Sequence, residues 1–289
     1  MKGVYYRVKR VLKRFRLLLR RRMAMIRWGK EAVQKAPAVF GNALPKAGSH
    51  LLLQILYGLA EIGPFYKPGF PPVNRFEDNS HLSEAEILKE IKSMRSGEIR
   101  FGYISHRKPF LDPLLDDNLA HIFIYRDPRD LLVSHVFYAL NIHEGHAMHE
   151  YYNKELDTME ERLNVAIEGC DLPGLELPNV RERYQNNLQW LEEPGVLSVR
   201  FEDLILHRDQ TLSDILAYIE SYGVSFSVER EIAVRVLRKA IQPKKSGTFR
   251  KGQPGNWQEH FTDENKRKFK ATAGDLLVRL GYEKSIQDW

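Results

Sequence analysis

The chain has 289 residues, 43% hydrophobic and 28% charged, with a single cysteine and a formal net charge of +6. That length carries one large α/β domain or two small ones, and the lone Cys170 excludes an intrachain disulfide framework and fits a reducing compartment. The first 30 residues hold 12 of the 44 Lys and Arg and no Asp or Glu, leaving 32 basic against 38 acidic residues beyond them, and a mildly acidic body argues against a nucleic-acid partner.

Residues 1–35 form a basic arm. Val4, Val8, Val11, Phe15 and Leu18 recur at helical spacing, with Lys and Arg filling the other face. Such a profile suits a helix lying on an anionic membrane surface through residues 1–30. It equally suits a helix packed on the body or an arm disordered in solution, with RNA binding behind these. The run Leu17-Leu18-Leu19 is far too short to span a bilayer and makes a poor signal peptide. The expected location is therefore cytoplasmic, with peripheral contact at a membrane.

From residue 36 to 289 short apolar runs alternate with longer helical ones, which predicts one α/β domain with a central, mainly parallel sheet flanked by helices. Candidate strands are 38–44, 100–105, 121–125 and 195–201. Candidate helices are 49–59, 83–93, 128–142, 181–191, 210–219, 227–237 and one from Thr262 to Leu280 with Asp263 and Glu264 in its first turn. The stretches 63–79 and 141–155, rich in Pro, Gly, aromatics and His, read as loops and as walls of a substrate pocket.

Three motifs carry chemistry. In "PKAGSH" (45–50), between a strand and a helix, a glycine lets the backbone fold closely and helix-start amides point at an anion, while Lys46 adds a mobile charge. A nucleotide P-loop of the GxxxxGK[ST] kind places its lysine after the second glycine; here Lys46 precedes Gly48, and Ala47 stands where a Mg²⁺-holding hydroxyl would be needed. In "FIYRDPRDLLVSH" (123–135), Arg126 emerges at a strand tip, Pro128 opens a helix and Ser134 lies two turns along, so both can converge on one phosphate. In "SGTFRKGQPGNWQEHFT" (246–262), Thr248, Arg250, Lys251 and Gly252 form a cationic loop suited to closing over an anion. Taken singly, each is also an ordinary surface turn, ion pair or basic loop.

Taken in order, they resemble the sulfotransferases that use 3′-phosphoadenosine 5′-phosphosulfate (PAPS). PKAGSH is similar to that family's 5′-phosphosulfate loop, commonly PKSGTxW; YRDPRDLLVSH resembles its 3′-phosphate motif; FRKGQPGNW…FT resembles its RKGxxGxW…FT. The similarity runs from about residue 37 to 270. It implies PAPS as co-substrate and a P-loop-like phosphosulfate loop in which Lys46 neutralises charge growing on the bridging oxygen. Ala47, Gly48, Ser49 and His50 would cradle the 5′-phosphate. Arg126 and Ser134 would hold the 3′-phosphate, with Arg250, Lys251 and Gly252 closing on it. No metal is expected, since fixed cations take that role.

The acceptor would be a hydroxyl or amine on a small molecule, lipid or glycan. Its base, in the family a histidine in a KTHLP-like context, falls on His106 in "FGYISHRKPF", and a neutral imidazole suits proton abstraction near pH 7. There are departures: Ile104 stands where the family has a lysine, and Ser49, His50 and Leu51 replace its Thr and Trp. An aromatic on adenine is expected near 180–190, where Tyr184 and Trp190 both lie. "RFEDL" (200–204) reads as structural. His143, His146 and His149 could gather on one helical face, but no carboxylate or cysteine completes a metal set. The competing readings are a P-loop small-molecule kinase and a non-catalytic, membrane-associated nucleotide-binding protein.

Overall fold

The computed structural model describes residues 2–67, 69–76, 78–247 and 250–289, with side chains from residue 15 onward. Helices α1 (Lys2–Trp28) and α2 (Lys30–Lys35) precede strand β1 (Ala38–Ala43) and helix α3 (Ser49–Ile62). A long loop leads to α4 (Glu84–Lys92), β2 (Ile99–Gly102), α5 (Leu111–Leu114), β3 (Leu119–Tyr125) and α6 (Pro128–Phe137). Then come α7 (His149–Lys154), α8 (Met159–Glu168), the hairpin β4–β5 (Cys170–Leu172, Leu175–Leu177), α9 (Val180–Gln185) and β6 (Val196–Arg200). The chain ends with α10 (Phe201–Leu206), α11 (Arg208–Glu220), α12 (Arg230–Ala240), α13 (Asp263–Ala273) and α14 (Leu276–Arg279).

The main sheet has the order β2-β1-β3-β6, and every neighbouring pair is parallel. All six residues of β1 are buried because both sheet faces are covered, and alternate side chains feed separate cores. Val39, Ile99, Ile122 and Ile124 pack with Leu52 of α3, Leu212 of α11 and Leu237 of α12. Phe40 and Phe123 pack on the other face with Leu132 of α6, Leu163 of α8 and Phe269 of α13. Parallel pairing brings the carboxyl ends of β1, β2 and β3 to one edge. The chain leaves β1 for one side and returns for β3 on the other, which makes the β1–β3 crevice the switch point where ligands bind in such sheets.

Three expected helices are shorter than their apolar periodicity suggests. The segment 128–142 leaves α-geometry after Phe137 and widens into a π turn at Tyr138–Ile142. The segment 181–191 divides into α9 and a 3₁₀ turn at Leu188–Leu191, separated by Asn186 and Asn187, whose side chains compete with helical bonding. The C-terminal helix breaks around Gly274. Elsewhere, capping boxes at Ser83–Glu86, Thr158–Glu161, Asn179–Glu182 and Thr262–Asn265 fix helix starts.

From residue 15 onward, helix α1 touches the body along one face. Ala24 packs with Val33 of α2 and Tyr66, flanked by Leu17, Met25 and Trp28. Arg20 donates to the Lys67 carbonyl at 2.6 Å, and Arg27 to the Glu61 carbonyl at 2.9 Å. Phe15, Leu19, Met23 and Ile26, at i, i+4, i+8 and i+11, lie on the opposite face and are 50–78% exposed. No helix among the described residues is long and apolar enough to cross a membrane.

Candidate active site

The turn after β1 stores backbone strain at the point where chemistry is expected. Lys46 has φ 71° although it carries a Cβ, and Gly48, the residue before α3, has φ 102°. Gly48 has a second reason to be glycine: a Cβ there would sit 2.7 Å from the Phe201 ring. The first-turn amides of α3 lack intrahelical partners, so the turn presents donors and a helix dipole to an anion. Ser49 Oγ lies 2.9 Å from the Tyr103 hydroxyl, and His50 stacks on Phe70.

Phe201, which backs Gly48, also carries Arg126: the guanidinium lies 4.3 Å over its ring. The "RFEDL" segment thereby joins the first motif to the second. Glu202 accepts from the Asp127 amide at 3.2 Å and from the Tyr282 hydroxyl at 2.7 Å, fixing the entry to α6. Arg129 is locked against Asp127 and Glu283 and lies between Trp257 and Trp289, so it is structural. Asp130 then docks the third motif. Its carboxylate accepts from the Gly255 and Trp257 amides, both at 2.8 Å, and lies 3.5 Å from Arg126.

Arg250 donates to Asn256 Oδ1 at 3.2 Å and lies 4.1 Å over Phe137, one turn along α6 from Ser134. Lys46 Nζ lies 3.7 Å over the ring of Tyr138. The cations therefore meet. Lys46 is pulled down to about 8 by burial, then by the charges of Arg126 and Arg250, and Arg250 is itself lowered by burial and by Arg126. Lys46 and Arg250, each lowered by burial and by neighbouring positive charge, mark a strongly anion-seeking site. Lys251 is paired with Glu259 at 2.6 Å, and Gly252 has φ 62°. Thr248 lies outside the described residues.

A cavity of about 280 Å³ opens on the other side of Lys46. Its walls come from the end of β1, from Asn74, Arg75 and His81, from Tyr103 and Ser105, and from Leu131, His135, Arg183, Tyr184 and Asn187. Buried Asn42 shapes it: its side chain bonds both the amide and the carbonyl of Ile104 at 2.9 Å, extending the sheet beyond β2. With Ile104 fixed inward to the core, Tyr103 and Ser105 face the cavity. His106 is not in the wall. Its ring meets Glu193 Oε1 through Nε2 at 2.6 Å and packs edge-on against Trp190.

The expected aromatic for adenine near 180–190 left Tyr184 and Trp190 open, and both are buried. Tyr184 is buried with its hydroxyl donating to the Arg126 carbonyl at 2.8 Å, and Trp190 is fully buried with Nε1 on the Ile104 carbonyl at 3.0 Å. Trp190 is committed to the core, and Tyr184, held by the Arg126 carbonyl, reaches only the wall of the cavity behind Lys46. The three loop histidines do not share a helix: His143 and His146 sit in turns, and only His149 enters α7, bonding the Ala139 carbonyl at 2.8 Å. No group of three potential metal ligands converges among the described residues. Sequence reading missed Arg75, Arg183, Tyr138 and Glu193, none of which belongs to a motif, and His135, which ends the second motif but was given no role. The one available signal was position: Arg75 lies in, and Tyr138 beside, a segment marked as a pocket wall, while Arg183 and Glu193 lie in neither.

A sulfotransferase domain profile matches residues 37–281. The chain belongs to the sulfotransferase family. Among solved structures it is similar to mouse sulfotransferase SULT7A1 complexed with PAP, at 15% identity and a TM-score of 0.59, with 88% of this chain and 93% of that chain covered. At that identity the likeness shows the sulfotransferase fold. Retinol dehydratase, solved with androsterone and the inactive cofactor PAP and again with retinol and PAP, aligns at a TM-score of 0.49 and 12–13% identity, over 85% of this chain and 83% of those. No curated protein sequence matches the chain significantly. The matched region of this sulfotransferase contains all three phosphate motifs and both sides of Lys46.

Proposed function

We propose that this sulfotransferase moves a sulfuryl group from PAPS to a hydroxyl or amine, releasing adenosine 3′,5′-bisphosphate. The observation that carries the reading is the convergence of Lys46, Arg126 and Arg250 beside a strained glycine turn. The amides at Gly48, Ser49 and His50 take the 5′-phosphate, and Arg126, Ser134 and the 250–252 loop take the 3′-phosphate. As the acceptor oxygen bonds to sulfur, the bond from sulfur to the bridging oxygen breaks. That oxygen leaves on the 5′-phosphate, with Lys46 neutralising its growing charge.

The acceptor proton goes to His106. Its Nε2 is engaged by Glu193, which leaves Nδ1 as the receiving atom. No step here calls for a metal. The test is calorimetric titration with adenosine 3′,5′-bisphosphate together with transfer from labelled PAPS. Tight binding of the bisphosphate, and a loss of about 10²–10³-fold in transfer for Lys46→Ala, are expected. Stabilisation by ATP with Mg²⁺ but not by the bisphosphate would return the protein to the kinases.

Residues 1–35 are proposed to be an accessory arm on a catalytic domain spanning 36–289, in a cytoplasmic enzyme at a membrane surface. The outward stripe of Phe15, Leu19, Met23 and Ile26, within the first 30 residues and their 12 cations and no acid, supports contact with anionic lipid. A lipid or glycan acceptor would be met there. Co-sedimentation with phosphatidylserine vesicles, lost in Phe15→Gln/Ile26→Gln and absent with neutral vesicles, is the expected result.

A further inference from the structure

The cavity behind Lys46 has a chemical character that the donor does not account for. Of the residues assigned to PAPS, only Lys46 lines it; Gly48, Ser49, His50, Arg126, Ser134 and Arg250 do not. Lys46 is thus the boundary across which the sulfuryl group passes, and what fills the cavity is the acceptor.

Arg75 and Arg183 reach this space from different elements, the loop after α3 and helix α9, and no Asp or Glu lines it among the described residues. Arg183 spends Nε on the Pro178 carbonyl at 2.9 Å, while its enclosed Nη2 has no hydrogen-bond partner. The groups acting on its charge, Tyr152, Tyr184 and Cys170, are neutral in their ordinary forms, and burial lowers its basicity. Arg75 donates to the Asn79 carbonyl at 2.8 Å and faces Tyr103 and Tyr138. His135 adds a buried Nε2 without a partner. A guanidinium held out of water without a counter-charge is costly and is ordinarily paired; Arg183 is largely enclosed, Arg75 is half-buried across from it, and no acid lines the space among the described residues. Here the fold leaves the pairing to a ligand. At about 280 Å³ the space sits at the lower end of small-molecule pockets, roughly 300–1,000 Å³.

We infer that the sulfotransferase takes an anionic acceptor: a small hydroxyl or amine compound whose carboxylate or phosphate is clamped by Arg75 and Arg183, with its nucleophile turned toward Lys46. The inference rests on the donor assignment above for its direction of transfer, but the anion site stands on its own lining. Bidentate capture by arginine is strong and orients the bound acid, so it serves positioning as well as affinity.

The test uses matched probes on the full chain. One arm compares 4-hydroxyphenylacetate with its methyl ester; a second compares 4-(hydroxymethyl)phenyl phosphate with 4-hydroxybenzyl alcohol. Binding by calorimetry without donor, and kcat/KM for sulfuryl transfer with PAPS, are both measured. The acid of at least one pair should exceed its neutral partner on the order of tenfold or more, and the stronger arm identifies carboxylate or phosphate. Arg75→Gln and Arg183→Gln should each erase most of that preference while leaving affinity for adenosine 3′,5′-bisphosphate within about twofold. Arg75→Gln, on a loop, keeps the test decisive if Arg183→Gln fails to fold. Equal binding of acids and neutral partners overturns the inference. So does loss of bisphosphate affinity in parallel with the preference, which would assign the arginines to the donor. Acid binding that depends on the arginines in a protein blind to the bisphosphate would keep the anion site and sink the PAPS reading instead.

Discussion

The two sides of Lys46 are built in opposite ways. On the donor side the supporting groups are paired before any ligand arrives: Asp130 holds two amides of the third motif, Glu202 holds Asp127, and Arg129 is enclosed by Asp127, Glu283 and two tryptophans. Arg126 and Arg250 are aimed by rings beneath them. On the other side Arg75 and Arg183 line a cavity without acids among the described residues, and the histidine expected to act as base stands one residue outside the wall. A site for a fixed cosubstrate is preorganised by its neighbours, while a site for the variable partner leaves charge to be completed on binding.

The sharpest way to break this contrast is at His106. His106→Ala should lower transfer by about 10²–10⁴-fold and leave adenosine 3′,5′-bisphosphate affinity unchanged. Full activity in that variant would move the proton acceptor to a histidine that lines the cavity, with His135 next. A second probe is pH. Lys46 must be charged to receive the leaving oxygen, so kcat/KM for PAPS should fall as pH rises through about 8, approaching tenfold per unit. The stability consequence has the opposite slope. The unfolded chain keeps a proton on Lys46 up to about 10.5 and the fold releases it near 8, so this group's contribution to stability rises with pH between those values.

Asp130→Asn tests the prebuilt side. It removes the charge that pairs Arg126 and receives Gly255 and Trp257, and should cost about 1–3 kcal/mol in urea unfolding together with weaker bisphosphate binding. An unchanged affinity would show that the third motif docks without it. The smallest effect is expected at the support of the cavity wall. Asn42→Ala orphans the buried amide of Ile104, leaves its carbonyl to Trp190 alone, and should lower stability by about 1–2 kcal/mol, raising acceptor KM more than donor KM.

The donor side was legible because its functional atoms are local in sequence. A turn of six residues supplies Lys46 and the α3 amides, and one strand-to-helix junction supplies Arg126 and Ser134. Even there, His106 shows the limit: spacing places it after β2, but which way the residue faces depends on the pairing of Ile104 with Asn42, 62 residues away. A shift of one position along extended chain reverses the face, so Ser105 took the wall. The apolar periodicity of 128–142 also hid the π turn that brings Tyr138 under Lys46.

What the sequence determined by itself was the layered α/β architecture, the order of its strands and helices, and the three phosphate motifs, since these follow from hydrophobic period and short-range turn chemistry. The tertiary structure decided that Phe201 would back Gly48, that Tyr184 and Trp190 would be buried, and that Arg75 and Arg183 would share one cavity. These are contacts between residues tens to more than a hundred positions apart, fixed by how the layers pack rather than by any local pattern.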